Sequence, residues 1–341
     1  MKLLQAMAGA DYGGAEEFFV RLAIALNSSV VQQRVVIRKH KLRASQLRAG
    51  GVEPVELGFG SPLDAVTRWG LREQISEFNP DIVLTWMNRA TAMLPARGKF
   101  LHVGRLGGYY NLKYYRACDH LVANTEDIAN YLKNNGWGED QVHYLPNFVT
   151  AKTAPKIKRK EYYTSNNATL LLALGRLHEN KAFDVLLEAF AQVPNAYLWI
   201  AGEGPLRETL EREAERLGVR PRIRFLGWRQ DVEALYATAD ILVCPSRHEP
   251  LGNVVIEGWA HGVPVVAADN LGPGALIKDE ETGILFPVND ANALAAALKR
   301  LISNDELGRR LAENGKKIYK TKFSEKIVVD KYIKLFEQMS S

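Results

Sequence analysis

The chain has 341 residues, more than one typical hydrophobic core accommodates, and this length predicts two domains. Its 47% hydrophobic and 24% charged residues are typical of a globular protein. No run approaches the roughly 18 uncharged apolar residues that a membrane-spanning helix needs, so such a helix is excluded. The N-terminal apolar run is too short for a signal peptide, and we therefore expect a cytoplasmic protein.

The net charge of +5 permits an anionic partner without requiring one. The basic residues have no interleaved aromatic residues, so we expect no nucleic-acid partner. Part of the excess charge lies in residues 151–160, which we interpret as a basic linker between the domains. Cys118 and Cys244 lie far apart in the sequence and are expected in the core, since no cysteine or histidine spacing predicts a disulfide or a zinc site.

Short apolar runs alternate with amphipathic stretches along residues 1–150, and this alternation predicts a parallel β-sheet flanked by helices. Ligands of such sheets bind at the carboxyl ends of the strands. The loop at residues 9–14 contains Gly13 and Gly14, which allow the backbone to approach a ligand closely. Five polar or aromatic residues near this edge are candidate ligand contacts: Asp11, Asn88, Arg89, Arg105 and Tyr109.

The same alternation recurs in residues 161–323 and predicts a second α/β domain. Its most informative stretch is 240–269. The apolar run Ile241–Cys244 predicts a buried strand, and Gly252 with Asn253 begins a helix. The helix ends at the Gly-Val-Pro sequence of residues 262–264, and a second buried strand follows at 265–268.

Two carboxylates lie in this stretch, Glu249 in the loop and Glu257 in the helix, with seven residues between them. The helix N-terminus that separates them offers unpaired N–H groups and about half a positive charge, which suit phosphate. Carboxylates accept hydrogen bonds from sugar hydroxyls, so the stretch predicts a nucleotide-sugar site with Glu257 on the ribose and Glu249 on the donor hexose. The spacing alone is equally compatible with an ordinary βαβ unit that carries two solvated glutamates.

The full string resembles the donor-site signature of the retaining glycosyltransferases of family 4, in which E-x7-E is followed by small-x-Gly-x-Pro-Val-Val. The resemblance implies the GT-B fold, an α/β architecture of two Rossmann-like domains that face each other across a cleft. It also implies transfer of a hexose-type sugar from a nucleotide diphosphate sugar to a saccharide or lipid-linked acceptor, in cell-envelope or lipopolysaccharide core biosynthesis. The residues that carry the match are Glu249, Glu257, Ala260, Gly262, Pro264, Val265 and Val266.

Further roles follow from this resemblance. Arg176 and Lys181 fit the family's G-R-x(4)-K sequence, whose cations grip the diphosphate, although a solvated loop with two cations has the same residues. With Glu249 they are the candidate catalytic residues. The first domain would take the acceptor through the five candidate contacts, and a C-terminal helix at 324–338 would pack back on it. The remaining candidate donor contacts are Gly13, Gly14, Gly204, Leu251, Gly252 and Asn253.

The sequence also departs from the family. Many relatives carry a cleft histidine in a region where this chain has none between residues 103 and 119, so no catalytic histidine is carried over. A catalytically inactive nucleotide-sugar-binding protein and a GT-B-like epimerase therefore stay open as alternatives. No Asp-x-Asp motif presents metal-binding carboxylates, and we expect neither a metal nor another cofactor. A basic span (Lys39, Lys41, Arg43 and Arg48) is either a solvated helix face or a contact with the inner membrane surface.

Overall fold

The computed structural model describes residues 1–11, 13–60, 64–95 and 98–340, and the chain divides into two compact units. The first unit comprises Met1–Phe148 together with Glu325–Ser341, and the second comprises Val149–Ser324. Each unit contains its own parallel sheet. No helix among the described residues is long and apolar enough to cross a membrane.

The described part of the first unit contains a seven-stranded sheet in the order β3-β2-β1-β4-β5-β6-β7. Every neighbouring pair is parallel. The apolar runs predicted from the sequence form these strands because both faces of a parallel sheet are covered by helices. The strands are β1 (Lys2–Met7), β2 (Gln32–Arg38), β3 (Pro54–Leu57), β4 (Ile82–Trp86), β5 (Leu101–Leu106), β6 (His120–Ala123) and β7 (Val142–Tyr144).

Helices cover the sheet of the first unit. In the C-terminal helix, Val328, Tyr332 and Phe336 recur at helical spacing and are buried in the same core cluster as Phe18 and Trp86. This apolar stripe places the end of the chain in the first unit. The helices are α1 (Gly14–Asn27), α2 (Lys41–Ala49), α3 (Ala65–Phe78), α4 (Met87–Met93), α5 (Glu126–Asn134) and, at the end of the chain, α13 (Glu325–Ser340).

The described part of the second unit contains a six-stranded parallel sheet in the order β10-β9-β8-β11-β12-β13. The strands predicted at 241–244 and 265–268 have the bounds that the structure gives them. The strands are β8 (Thr169–Leu174), β9 (Ala196–Ala201), β10 (Ile223–Gly227), β11 (Ile241–Cys244), β12 (Val265–Ala268) and β13 (Ile284–Phe286).

The helices of the second unit enclose two apolar clusters, one on each face of the sheet. Cys244 is buried in one of them, and Cys118 is buried in the first unit; both are free thiols, as expected for core residues. The helices are α6 (Phe183–Ala191), α7 (Arg207–Arg216), α8 (Val232–Thr238), α9 (Asn253–His261), α10 (Leu271–Leu276), α11 (Ala291–Ile302) and α12 (Asp305–Ile318).

The structure places residues 151–160, interpreted from the sequence as a linker, in the second unit. The N–H of Ile157 donates to Oγ1 of Thr238 over 2.8 Å, and the Ile157 side chain packs against the core. Arg159 donates from Nη2 to both carboxylate oxygens of Asp240 at 2.8 Å. The basic composition of the segment did not indicate these contacts, because two of its side chains, Ile157 and Arg159, suffice to attach it to the second unit.

Candidate active site

The order of strands in the second unit reverses between β8 and β11, which lie side by side. Loops that leave the carboxyl ends of two such strands open a crevice, the usual ligand position of an open α/β sheet. The loop after β8 carries Arg176 and Lys181, and the loop after β11 carries Glu249. The topology therefore brings together residues that the sequence keeps far apart.

Lys181 and Glu249 form an ion pair across this crevice, with Nζ donating to Oε2. Their side chains are 23% and 12% exposed, so water only partly screens the pair. The backbone joins the same loops, because the N–H of Arg247 donates to the carbonyl of Asn180 over 2.8 Å. Burial acts to lower the pKa of Lys181, but the charge and hydrogen bond of Glu249 outweigh it and raise that pKa. The lysine is therefore a fixed cation.

The helix after this loop, α9, begins at Asn253. The residue before it, Gly252, has a left-handed backbone (φ 67°) that favours glycine. The available space also favours glycine, since a Cβ there would lie 2.8 Å from Cδ1 of Leu276 and 3.3 Å from the backbone carbonyl carbon of Gly272. No side chain caps this helix end, so its first N–H groups and partial positive charge suit an anion.

Glu257 is the fifth residue of α9, and Tyr236 of α8 holds its carboxylate. The Tyr236 hydroxyl donates to Oε2 of Glu257 over 2.7 Å, and the tyrosine ring stacks on His261 at 4.9 Å and 6°. Burial, together with the charge of Glu257, raises the pKa of Tyr236 well above its ordinary value. The tyrosine therefore stays a neutral donor that fixes the orientation of the carboxylate.

The remaining donor-side candidates flank this crevice. Arg176 is exposed, whereas Leu251 is half-buried. Gly204 lies against the loop after β8, and a Cβ there would be 2.4 Å from the carbonyl oxygen of Leu177. Two backbone hydrogen bonds of 3.0 and 3.1 Å join Leu177 to Glu203 and Leu206 in the same turn. Gly204 is thus required by the contact between two loops, whatever else it binds.

The candidates of the first unit lie at one edge of its sheet, because they follow β1, β4 and β5 in a run of adjacent strands. Asp11 is exposed, with Oδ1 3.8 Å from Nε2 of His40. Gly13 precedes α1 and Gly14 begins it. Tyr109 is half exposed, and its hydroxyl is hydrogen-bonded to Asp127.

The candidates Asn88 and Arg89 lie in the first turn of the helix that directly follows β4, at the carboxyl end of the strand as expected. Trp86 still belongs to β4, and α4 starts at Met87. Arg89 is exposed and donates to the Phe59 carbonyl over 3.2 Å. Oδ1 of Asn88 is buried and has no hydrogen-bond partner among the described residues. Asn88 thus retains an acceptor atom for a ligand at this edge.

The structure corrects the expectation for Arg105, predicted as an acceptor contact. Its side chain is 1% exposed and lies between two aromatic rings, 4.3 Å from the Trp86 centroid and 4.7 Å from that of Phe18. Its guanidinium donates to Tyr332 of α13 over 3.0 Å and to Asn147 over 2.5 Å. Arg105 therefore fastens the C-terminal helix to the sheet and does not present a charge to an acceptor.

The basic span of the first unit also differs from the prediction. Arg43 is 3% exposed and points inward, where Nη2 donates to the carbonyl of Ala10. Arg48 is held by Glu53 at 2.9 Å and Glu56 at 3.2 Å. A continuous surface of four cations is therefore absent. The span was misread because helix α2 turns Arg43 to its buried face.

The sequence did not reveal the residues that support the site. Tyr236 gives no signal, because a tyrosine in a short amphipathic helix is ordinary core. Gly272 donates to the Glu249 carbonyl over 2.8 Å, and a Cβ there would lie 2.4 Å from that oxygen. Arg247 is anchored to Asp184 by bonds of 3.0 and 2.6 Å. The glycine cluster at 272–274 was the one usable signal of a close contact.

Within the described residues, no group of three or more His, Cys, Asp or Glu side chains could hold a metal ion. Lys181 and Glu249 meet at the crevice, Glu257 lies near enough for its charge to act on Lys181, and Arg176 lies in the same loop as Lys181. Together with the uncapped helix end, the two cations can bind a phosphate group. The two carboxylates can accept hydrogen bonds from hydroxyls. The arrangement therefore has the chemistry that a phosphorylated sugar requires.

Comparison with known proteins agrees with this chemistry. Residues 156–318 match the family model of glycosyl transferases group 1, and residues 12–152 match that of glycosyltransferase family 4. The chain belongs to these glycosyltransferases. The lipopolysaccharide core biosynthesis glycosyltransferase LpsD of Rhizobium meliloti (strain 1021) is 35% identical, over 99% of this chain and 98% of its own. LpsE of the same organism is 34% identical, over 98% of each chain.

Solved structures share the fold over nearly the whole chain. Anabaena HepE in complex with UDP-glucose superimposes with a TM-score of 0.84 at 20% identity, over 99% of this chain and 100% of HepE. WaaG, a glycosyltransferase involved in lipopolysaccharide biosynthesis, gives a TM-score of 0.71 at 21% identity, over 98% of this chain and 99% of its own. Together with the two parallel sheets, this likeness confirms the predicted GT-B fold class.

Proposed function

We propose that this glycosyltransferase transfers a hexose-type sugar from a nucleotide diphosphate sugar to a saccharide or lipid-linked acceptor, with retention of the anomeric configuration. The names of LpsD and LpsE support a place in lipopolysaccharide core synthesis, because both align over almost the full length. The UDP-glucose complex of HepE supports a nucleotide-sugar donor. We further propose that the enzyme works in the cytoplasm, at the inner face of the membrane.

The observation that carries the proposal is the Lys181–Glu249 pair beside the uncapped end of α9. In the donor complex, Arg176, Lys181 and the helix end would neutralise the charge that develops on the departing nucleotide diphosphate. These fixed positive groups take the place of a metal ion. Partial burial strengthens their effect, because the local dielectric constant is below that of water.

Transfer would proceed by attack of an acceptor hydroxyl on the anomeric carbon while the bond to the diphosphate oxygen breaks. The leaving phosphate takes the proton of the hydroxyl. Attack from the face that the diphosphate leaves retains the configuration, and it requires no enzyme nucleophile. Glu249 would hold hydroxyls of the hexose and Glu257 those of the ribose.

The test is a panel of UDP-, GDP- and ADP-sugars, first screened by thermal shift and then assayed for release of nucleotide diphosphate with and without saccharide acceptors. Acceptor-dependent release, with a product whose anomeric coupling matches that of the donor, supports the proposal. Binding without turnover would indicate an inactive sugar-nucleotide-binding protein. Conversion of the donor sugar without transfer would indicate an epimerase, and an inverted product would contradict retention.

A further inference from the structure

A buried carboxylate is hydrogen-bonded to the backbone of the glycine-containing loop of the first unit. This loop, residues 8–13, joins β1 to α1; Tyr12 within it lies outside the described residues. Glu16, in the first turn of α1, is 7% exposed, and its Oε1 accepts the N–H of Ala10 over 2.8 Å. The side chain thus folds back beneath the loop that precedes its own helix.

Gly9, before Ala10, and Gly13, three residues after it, leave the space that this carboxylate occupies. A Cβ at Gly9 would lie 2.6 Å from Cγ of Glu16, and one at Gly13 would lie 2.3 Å from its Oε2. A Cβ at either position would therefore displace the Glu16 side chain from the place it occupies. The glycines at positions 9 and 13 therefore make room for the Glu16 carboxylate, in addition to any contact they make with a ligand.

Arg43 binds the other backbone polar atom of Ala10, its carbonyl oxygen. Its Nη2 donates to the carbonyl of Ala10 over 2.5 Å, so Ala10 is bound at both of its backbone polar atoms by side chains of opposite charge. The position of Arg43 is fixed in turn, since Nδ1 of His40 accepts its backbone N–H over 3.1 Å. Because both side chains bind Ala10, the two charges lie close together; burial lowers the pKa of Arg43, and the charge of Glu16 acts in the opposite direction.

We propose that Glu16 and Arg43 are positioning residues that hold the glycine loop in the conformation that sugar transfer requires. The proposal rests on the proposed function and on Gly13 and Gly14 as candidate donor contacts. Neither side chain needs to touch substrate. A loop of this composition is flexible when free, and fixing it before the substrate binds removes an entropic cost from the reaction.

The first test needs no substrate. Hydrogen exchange of the backbone amides of residues 8–14 is followed by mass spectrometry or NMR in the full chain. Glu16→Ala should speed exchange of the Ala10 amide at least roughly tenfold, because its acceptor is lost. Glu16→Gln, which keeps an acceptor oxygen, should restore most of the protection. Glu17→Ala is the matched control, since Glu17 is an exposed carboxylate in the same helical turn.

Unchanged exchange in Glu16→Ala, or an equal effect of Glu17→Ala, would overturn the proposal. If Glu16→Ala does not fold, Arg43→Met removes the hydrogen bond to the Ala10 carbonyl instead. The same increase in hydrogen exchange of the loop is expected. The exchange measurement tests whether Glu16 and Arg43 hold the loop even if the protein turns over no donor. Failure of the proposed function is therefore distinguishable from failure of the positioning role.

The second test uses the donor found in the panel. Glu16→Ala should lower kcat roughly 10- to 100-fold and change the donor KM less, because the loop must be ordered in the transition state. Glu16→Gln should recover most of kcat. A loss confined to KM, or no recovery by glutamine, would contradict a positioning role.

Discussion

The side chains of Lys181 and Glu249 are joined by a hydrogen bond although 68 positions separate them in the sequence. The bond crosses the point where the strand order of the second unit reverses, between β8 and β11. Each residue alone is an ordinary charged side chain in a loop. As a pair at this edge of the sheet, they place a cation for a phosphate group beside an acceptor for sugar hydroxyls.

The first prediction concerns the two cations. Arg176→Ala and Lys181→Ala should each lower turnover by about 10²-fold or more, because each removes a positive charge from the site where negative charge develops. Both variants should remain folded, as circular dichroism and thermal unfolding would show. Arg309→Ala is a suitable control, since Arg309 is an exposed arginine on α12 of the same unit. Wild-type turnover in either test variant would remove that residue from the site.

The second prediction concerns metal ions. Since fixed positive groups surround the proposed diphosphate position, turnover should be the same in excess EDTA as in buffer with Mg²⁺. The measurement is a donor-release assay on protein dialysed against the chelator. Complete loss of activity that Mg²⁺ or Mn²⁺ restores would show that Arg176, Lys181 and the helix end do not suffice.

The fold was largely predictable from the sequence, because parallel strands are apolar on both faces and leave continuous runs. The strand Ile241–Cys244 and the helix that ends at Gly262 follow from such local patterns. Contacts between segments that are distant in the sequence do not follow from local patterns. No local pattern indicates that Arg105 packs beneath α13, since its sequence neighbours resemble a strand end with an exposed polar residue.

The candidate site shows the same division. The spacing of Glu249 and Glu257 is local and was visible in the sequence. The residues that hold these two glutamates in place were not visible in the sequence. Tyr236 reaches Glu257 from another helix, and Gly272 reaches the Glu249 backbone from the segment after β12. Arg43 illustrates the converse error, since a cation in a basic run reads as surface until the buried face of its helix is known.

The third prediction concerns the membrane surface. Lys39 and Lys41 are exposed, with the half-exposed Leu42 beside them. If this span meets anionic lipid, two cations at about 1 kcal/mol each strengthen binding by at most about 30-fold. Binding to phosphatidylglycerol vesicles should weaken with salt and fall further in the Lys39→Ala, Lys41→Ala double variant. Absence of binding at low salt, or binding that the double variant leaves unchanged, rules out this span.

The fourth prediction concerns stability in acid. His102 is 4% exposed, with Nε2 2.9 Å from the Thr85 hydroxyl, and burial lowers its pKa to about 4 despite the opposing effects of the Ala117 backbone and Asp119. The unfolded chain binds a proton near the ordinary value of 6.5, so acidification from about 6.5 to 4 favours unfolding. The full difference corresponds to roughly 3 kcal/mol.

The measurement is chemical unfolding of wild type and His102→Gln at pH 7.5 and pH 5. The loss of stability between the two pH values should be smaller in the variant. Substitution of His248, an exposed histidine, should leave the wild-type loss unchanged. An NMR titration gives the pKa directly, and an imidazole of His102 that is protonated at pH 6 in the folded protein would contradict the prediction.

The fifth prediction separates the two glutamates of the donor site. Glu257 is proposed to hold the ribose, which does not change during transfer, so Glu257→Gln should mainly raise the donor KM. Tyr236→Phe removes the hydroxyl that orients this carboxylate over 2.7 Å. It should raise KM in the same direction by roughly tenfold at most. A fall in kcat without a change in KM in either variant would contradict this assignment.

The most direct test of the account is the steady-state kinetics of Glu249→Gln with the true donor and acceptor. Glu249 is proposed to lie beside the hexose, whose charge and ring shape change as the glycosidic bond breaks, so its contact should strengthen in the transition state. The amide keeps the size of the side chain and one acceptor oxygen. We predict a large fall in kcat with a smaller change in the donor KM. An intact kcat with only KM altered would make Glu249 a binding residue, and catalysis would then have to be sought among other residues, such as Asp11 and Asn88.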